Sequence, residues 1–277
     1  MANVAGLGYV RRDSPVHRLT GAAKLIMVLF ASVAGMITYD TRFLVGMITA
    51  SVLMFVISRI KLRELRFILL LIGAFMLLNN LLIYLFSPEE GVAIYGSRQI
   101  LWELTGRYTV TREQLFYQFN VTLKYFCIMP IALIFFSTTE PSEFASSLDK
   151  IGISYKAAYA VALTLRYIPD VRRNYTEISQ SQQARGIDMS KKASLPRRIR
   201  HAASVLFPLV FSSMDRIETI SNAMELRSFG KKKRRSWYRA KPFRVSDWIV
   251  IAASAGLVAI SLWLNHINGG RFFNPFS

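Results

Sequence analysis

The segment from Phe67 to Phe86 contains no charged residue at all. It is as long as the roughly 20 apolar residues that an α-helix needs to cross the hydrocarbon of a bilayer. In lipid every backbone N–H and C=O must be satisfied internally, so such a run can only be a helix. Four further apolar segments accompany it: Ala22 to Tyr39, Phe43 to Ile57, Asn120 to Phe136 and Trp248 to Leu264. Lys24 interrupts the first only at its edge, the second is short, and the fourth in chain order carries Lys124 near one end and Pro130 inside. The sequence therefore predicts an all-α, polytopic membrane protein with about five transmembrane helices.

Orientation follows from where Lys and Arg fall in the short loops. Arg11, Arg12, Arg18 and Lys24 precede or open the first span, and Arg59, Lys61, Arg63 and Arg66 follow the second. The stretch from Thr138 to Ser246 is basic throughout. The alternate segments are poorer in positive charge: the turn at Tyr39 to Arg42, the segment from Ser87 to Phe119 with Glu89, Glu90, Glu103 and Glu113, and a tail whose one cation is Arg271. The N-terminus is thus expected inside the cell membrane and the C-terminus outside, which requires an odd number of spans. The arm before Arg11 has no apolar run, so no cleavable signal is expected there.

This gives three regions: residues 1–137 with four spans and a basic arm, residues 138–246 as a cytoplasmic module, and residues 247–277 with the last span and an external tail. The middle region has apolar periodicity of its own. A short helix opens at Pro141-Ser142-Glu143 and closes at Gly152. A longer one runs from Tyr155 to Ala184, with Pro169 expected to kink or divide it. Gly186 fits the position after a helix end. A basic linker leads to Pro196 and a helix that reaches about Arg227. Along it Ile199, Ala203, Leu206, Val210, Ile217, Ile220 and Met224 recur at three- and four-residue steps or their sum, which is one helical face.

Both long helices end in an arginine before a small residue: Ala184-Arg185-Gly186 and Glu225-Leu226-Arg227-Ser228. An arginine there complements the negative end of the helix dipole. Its planar fork also suits a carboxylate or a carbonyl cluster on another protein.

The net charge of +18 calls for an anionic partner, nucleic acid or a membrane surface. The cations are interleaved with long apolar faces, and the run Lys231 to Arg235 stands just ahead of Trp237, Tyr238 and the last span. That placement favours headgroups, an interfacial anchor and no nucleic acid. A polytopic enzyme or a membrane-tethered nucleic-acid-binding protein are the competing readings. His17, His201 and His266 are dispersed, Cys127 is alone, and neither HExxH nor GxxxxGK[ST] occurs, so catalytic, metal and cofactor residues are all expected to be none. Asn79 and Asn80 inside the third span are expected to hydrogen-bond between helices.

With Asp13-Ser14-Pro15-Val16-His17-Arg18-Leu19, Lys24-Leu25, Arg166-Tyr167-Ile168-Pro169, Gln183-Ala184-Arg185-Gly186 and Ala223-Met224-Glu225-Leu226-Arg227-Ser228-Phe229-Gly230, the chain resembles the transmembrane T component of energy-coupling factor (ECF-type ABC) transporters. The resemblance covers nearly the whole chain. It implies a non-catalytic scaffold in an importer, partnered by two cytoplasmic ABC ATPase subunits and one substrate-binding membrane subunit. It further implies that Arg185 and Arg227 sit in grooves on the two ATPase subunits, with Ala184, Gly186, Glu225, Leu226 and Ser228 around them. The apolar faces, including Leu206, Val210, Ile217 and Ile220, would carry the substrate subunit. Cargo is left open among a B vitamin, a vitamin precursor, and cobalt or nickel, with a vitamin or its pyrimidine precursor preferred. Members of the family usually end both helices in Arg-Gly; here Ser228 replaces the second glycine, which leaves the geometry of that end open.

Overall fold

The computed structural model describes residues 14–105, 108–187, 195–232, 236–237 and 241–276. The chain forms two compact units, Met1–Glu140 with Lys241–Ser277, and Pro141–Ala240. In the first unit α1 (Pro15–Arg18) leads into α2 (Gly21–Ile37) and α3 (Thr41–Ile57). A 3-10 turn at Leu62–Leu65 opens α4 (Arg66–Phe86), which is followed by α5 (Glu90–Tyr95), a hairpin of β1 (Ile100–Thr105) and β2 (Tyr108–Thr111), α6 (Arg112–Thr138) and, after the second unit, α10 (Val245–Ile267). The second unit holds α7 (Pro141–Lys150), α8 (Tyr155–Ala184) and α9 (Leu195–Leu226).

The five apolar runs of the sequence fall on α2, α3, α4, α6 and α10. Three stretches, Leu62–Phe86, Arg112–Thr138 and Val245–Ile267, are long and apolar enough to cross a membrane by themselves. The other two helices have 17 residues each, the lower end of what spans the hydrocarbon. The protein is an all-α polytopic membrane protein to which the two-stranded hairpin is the one addition among the described residues.

Helices do not gain hydrophobic energy by meeting in lipid, so close approach through small residues has to hold them. The buried side of α2 carries Ala22, Ala23, Ala31, Ala34 and Gly35. Ser254 and Ser261, buried on α10, return their hydroxyl hydrogens to the carbonyls of Val250 and Val258 at 2.7 and 2.8 Å. A core of Met27, Ala31, Ala34, Phe43, Leu44, Met47, Cys127 and Ile131 joins α2, α3 and α6. Of the interhelical bonds expected of Asn79 and Asn80, those of Asn80 are present between α4 and α6: its Nδ2 donates to Thr122 Oγ1 at 3.1 Å, and Gln118 Nε2 donates to its backbone oxygen at 3.1 Å, whereas the buried Oδ1 of Asn79 has no partner among the described residues.

The basic arm does more than flank a span. Lys24 is completely buried, and its Nζ donates to the carbonyl of Thr138 at 2.9 Å, at the carbonyl end of α6. A cation there also meets the negative end of the helix dipole. Asp247, equally buried, accepts from the amides of Arg244 and Thr20, both at 2.8 Å, and so ties the start of α10 to the start of α2. At the other end of these helices the tail folds back. Tyr39 donates its amide to Arg271 O at 2.7 Å and stacks on Phe272 at 4.5 Å, while Phe276 packs on Tyr95 and Phe116.

Of the two outcomes expected at Pro169, division does not occur: α8 runs from Tyr155 to Ala184 through it, with contacts to the α9 side before and after it. Trp237, expected beside an interfacial anchor, donates its Nε1 to Asp149 Oδ2 at 2.9 Å and leans its ring on Tyr159. Lys233 to Arg235 and Tyr238 lie outside the described residues.

Candidate functional site: two arginine-capped helix ends

The hydroxyl of Ser154 caps α8 by accepting from Ala157 N at 3.4 Å. Its first turns then pack against the far end of α9, where Phe229 sits between Tyr155 and Tyr159 at ring distances of 5.6 and 4.8 Å. Further along α8, Asp170 faces Arg216 at 3.9 Å. Oriented to satisfy both amide atoms, Asn174 donates to the Asp170 carbonyl and accepts from Arg216. Higher numbers on α8 thus meet lower numbers on α9, so the two helices run antiparallel. The C-terminal end of each lies at the N-terminal side of the other. From Tyr159 to Arg185 the helix rises about 40 Å at 1.5 Å per residue. Arg185 and Arg227 therefore stand at opposite ends of one helix pair, separated by about that distance.

The two ends have the same backbone geometry. At the end of α8, Gly186 N donates to Gln183 O at 2.9 Å and Ile187 N to Gln182 O at 3.1 Å. At the end of α9, Ser228 N donates to Glu225 O at 2.8 Å and Phe229 N to Met224 O at 2.9 Å. Both are Schellman motifs, in which the residue after the cap takes a left-handed conformation. Gly186 has φ of 85° and Ser228 has φ of 57°. The replacement of glycine by serine therefore leaves the geometry of the second end intact, at a conformational cost. Arg185 and Arg227 occupy the same position in the two motifs, the C-cap. Ala184, Arg185, Gly186, Glu225, Leu226, Arg227 and Ser228 are all exposed. Similar motifs close α7 at Gly152 and α10 at Gly269, so the motif alone is general. What distinguishes α8 and α9 is the exposed arginine held at its cap.

Between the two arginines lies an apolar groove of about 760 Å³, lined by Tyr159, Leu163 and Tyr167 of α8 and by Ile217, Ile220 and Met224 of α9. The single apolar face expected for α9 is split. Val205 and Leu209 are buried, Ile220 is half-buried in the groove, and Leu206, Val210 and Ile217 are exposed. Phe207, Phe211 and Met214 are exposed beside them; they were not included in the chosen face, although Phe207 and Met214 stand three or four residues from its members. Their signal was available: α9 is apolar around most of its middle, which a helix with one covered face does not need.

Residues 12–237 match the family model CbiQ, described as cobalt transport protein, and the chain belongs to that family. It is similar over nearly its whole length to proteins named energy-coupling factor transporter transmembrane protein EcfT. That of Exiguobacterium sibiricum is 26% identical over 277 residues, covering 97% of this chain and 98% of the relative. That of Heliobacterium modesticaldum is 27% identical over 259 residues, with 92% and 95% covered. That of Thermotoga maritima is 25% identical over 276 residues, with 96% and 93% covered. The family is the one that the arginine-ended helices suggested.

Proposed function

We propose that this chain is the transmembrane scaffold of an ECF-type importer, which couples two cytoplasmic ATPase subunits to a substrate-binding membrane subunit. The observation that carries this reading is the pair of identical C-caps at opposite ends of the α8–α9 pair, each presenting an exposed arginine. Two ATPase subunits in one complex need two equivalent, well-separated docking points. An arginine fork fits a carboxylate-lined groove bidentately, which a flexible ammonium does not. Closure of the ATPase pair on ATP would move the two tips relative to each other. Helices running unbroken between them would carry that displacement to the exposed stripe of Leu206, Val210 and Ile217. The substrate subunit rests on this stripe in the proposed assembly.

The distribution of Lys and Arg supports a cell-membrane protein with its N-terminus and residues 138–246 cytoplasmic and its C-terminus external. The cargo, whether a vitamin, a vitamin precursor or cobalt or nickel, would be held by the partner. A tagged pull-down from detergent-solubilised membranes tests the reading. Two ATPase subunits and a small hydrophobic membrane subunit are expected. A chain that comes down alone, with the ATPase subunits expressed and the complex known to survive the detergent, sinks it.

A further inference from the structure

The β1–β2 hairpin presents a surface that the coupling role does not use. Ile100, Leu101 and Trp102 are consecutive, and strand geometry would ordinarily turn alternate side chains to opposite faces. Here they are 44%, 60% and 73% exposed. The pairing explains this. Ile100 faces Thr111 and Trp102 faces Val110, so Leu101 is an extra residue on β1, and a second irregularity lies between Glu103 and Thr105. Bulges re-aim side chains and break the alternation. A three-residue apolar run on a two-stranded hairpin is an aggregation hazard in water, and such a hairpin is marginal without support.

The hairpin is nevertheless held at a fixed height. Glu113, at the first turn of α6, accepts from Gln99 N at 3.1 Å and from Ser97 Oγ at 2.9 Å, and Arg112 N donates to Gln99 O at 3.0 Å. Tyr108 of β2 lies 6.3 Å, ring to ring, from Tyr84 near the end of α4. The apolar run therefore lies at the same end of the spans as Phe86, which is 76% exposed, and as the exposed Leu115 and Phe119.

We propose that the Ile100–Trp102 run of the hairpin is an interfacial anchor, which inserts Leu101 and Trp102 among the headgroups and upper acyl carbons of the leaflet where α4 ends. The occupant is lipid because the run lies at the end of a largely exposed apolar span and includes an exposed Trp, a ring type that concentrates at the membrane–water interface. Depth is limited by the backbone. An open strand edge cannot enter the hydrocarbon, and exposed Glu103 on the same strand holds the hairpin at the polar boundary.

The chain has four tryptophans, so a full-length variant with Trp237→Phe, Trp248→Phe and Trp263→Phe reports on Trp102 alone. In phosphatidylcholine vesicles with brominated acyl chains, Trp102 emission is expected to be blue-shifted, resistant to acrylamide, and quenched most strongly by bromines close to the headgroup. Red-shifted emission that acrylamide quenches and bromines do not would overturn the anchor, as would strongest quenching by bromines at the midplane. Shielding that arises only when the co-purifying subunits are added would assign the patch to a protein partner and overturn it equally. A variant retaining only Trp263, exposed on α10, must be quenched by bromines in the same vesicles, so loss of membrane insertion is recognised separately. Leu101→Cys carrying a nitroxide gives an independent reading in a chain whose native Cys127 is fully buried. Greater accessibility to oxygen than to an aqueous nickel chelate is expected, and the reverse order contradicts the anchor.

Discussion

Exchanging the residues after the two arginines isolates what each cap contributes. In the Schellman geometry Ser228 holds φ of 57°, where a side chain's Cβ crowds the following carbonyl at a cost of about 1–2 kcal/mol. Ser228→Gly removes that strain but loosens the unfolded chain by about 0.5–1 kcal/mol. The net expectation is a stabilisation of the last turn of α9 by about 0.5–1 kcal/mol. Gly186→Ser runs the other way. A Cβ built on Gly186 meets nothing within 4 Å, so its penalty is conformational and not steric. Because fraying of a helix end is local, global melting would report it poorly. Amide exchange is the sharper assay, read on Ser228 and Phe229 for one end and on Gly186 (or the serine replacing it) and Ile187 for the other. At about fivefold per kcal/mol, exchange should slow by about twofold to fivefold in Ser228→Gly and quicken by a similar factor in Gly186→Ser. Faster exchange in Ser228→Gly would refute the reasoning and assign the serine hydroxyl a stabilising contact.

Three further outcomes are expected. Glu113→Ala leaves the amide of Gln99 and the hydroxyl of Ser97 without their acceptor, and should lower stability in detergent by about 1–3 kcal/mol, with increased proteolysis in the hairpin. Phe272→Ala removes the ring stacked at 4.5 Å on Tyr39 and should cost at least the pair's own increment of about 0.5–1.5 kcal/mol, read as a lower melting temperature with ATPase docking intact. Burial pushes the Tyr95 phenol from 10.0 up to about 12. The stability this contributes is complete below pH 10 and is lost as pH rises toward 12, so alkaline unfolding should begin later in Tyr95→Phe.

Where the sequence was legible, the physics was repetitive along the chain. Five apolar runs require helices in lipid, and α8 and α9 lie close to the stretches read from Tyr155 to Ala184 and from Pro196 to about Arg227. The contribution of Lys24 was hidden, because a lysine at the edge of a span looks interfacial. Only the meeting of α2 with the carbonyl end of α6 shows that it is buried and bonded to Thr138. The hairpin was hidden by its own bulges, since Ile100-Leu101-Trp102-Glu103-Leu104-Thr105 has no period of two. The extension of α6 back to Arg112 was hidden by its polar first turn, which Thr111 caps by accepting from Gln114 N, while the buried Glu113 and Gln114 accept from the amides of Gln99 and Gly91. The close approach there is marked by Gly91, where a Cβ would lie 2.5 Å from the backbone of Glu113 and Gln114. At the candidate site the arginines were legible from their repeated position. That Ser228 completes the same motif as Gly186 was not, because serine seldom takes a left-handed conformation and only the hydrogen bonds of Ser228 and Phe229 reveal it.

The most direct test of the coupling account is a comparison of ATP hydrolysis with substrate uptake in proteoliposomes containing the complete transporter, with this chain native or carrying both Arg185→Ala and Arg227→Ala. The account predicts that the variant chain inserts normally and that uptake per ATP hydrolysed collapses, with Lys at the two positions restoring it only in part because it lacks the planar fork. Uptake per ATP equal to that of the native chain in the double alanine variant would contradict it and remove both arginines from the mechanism.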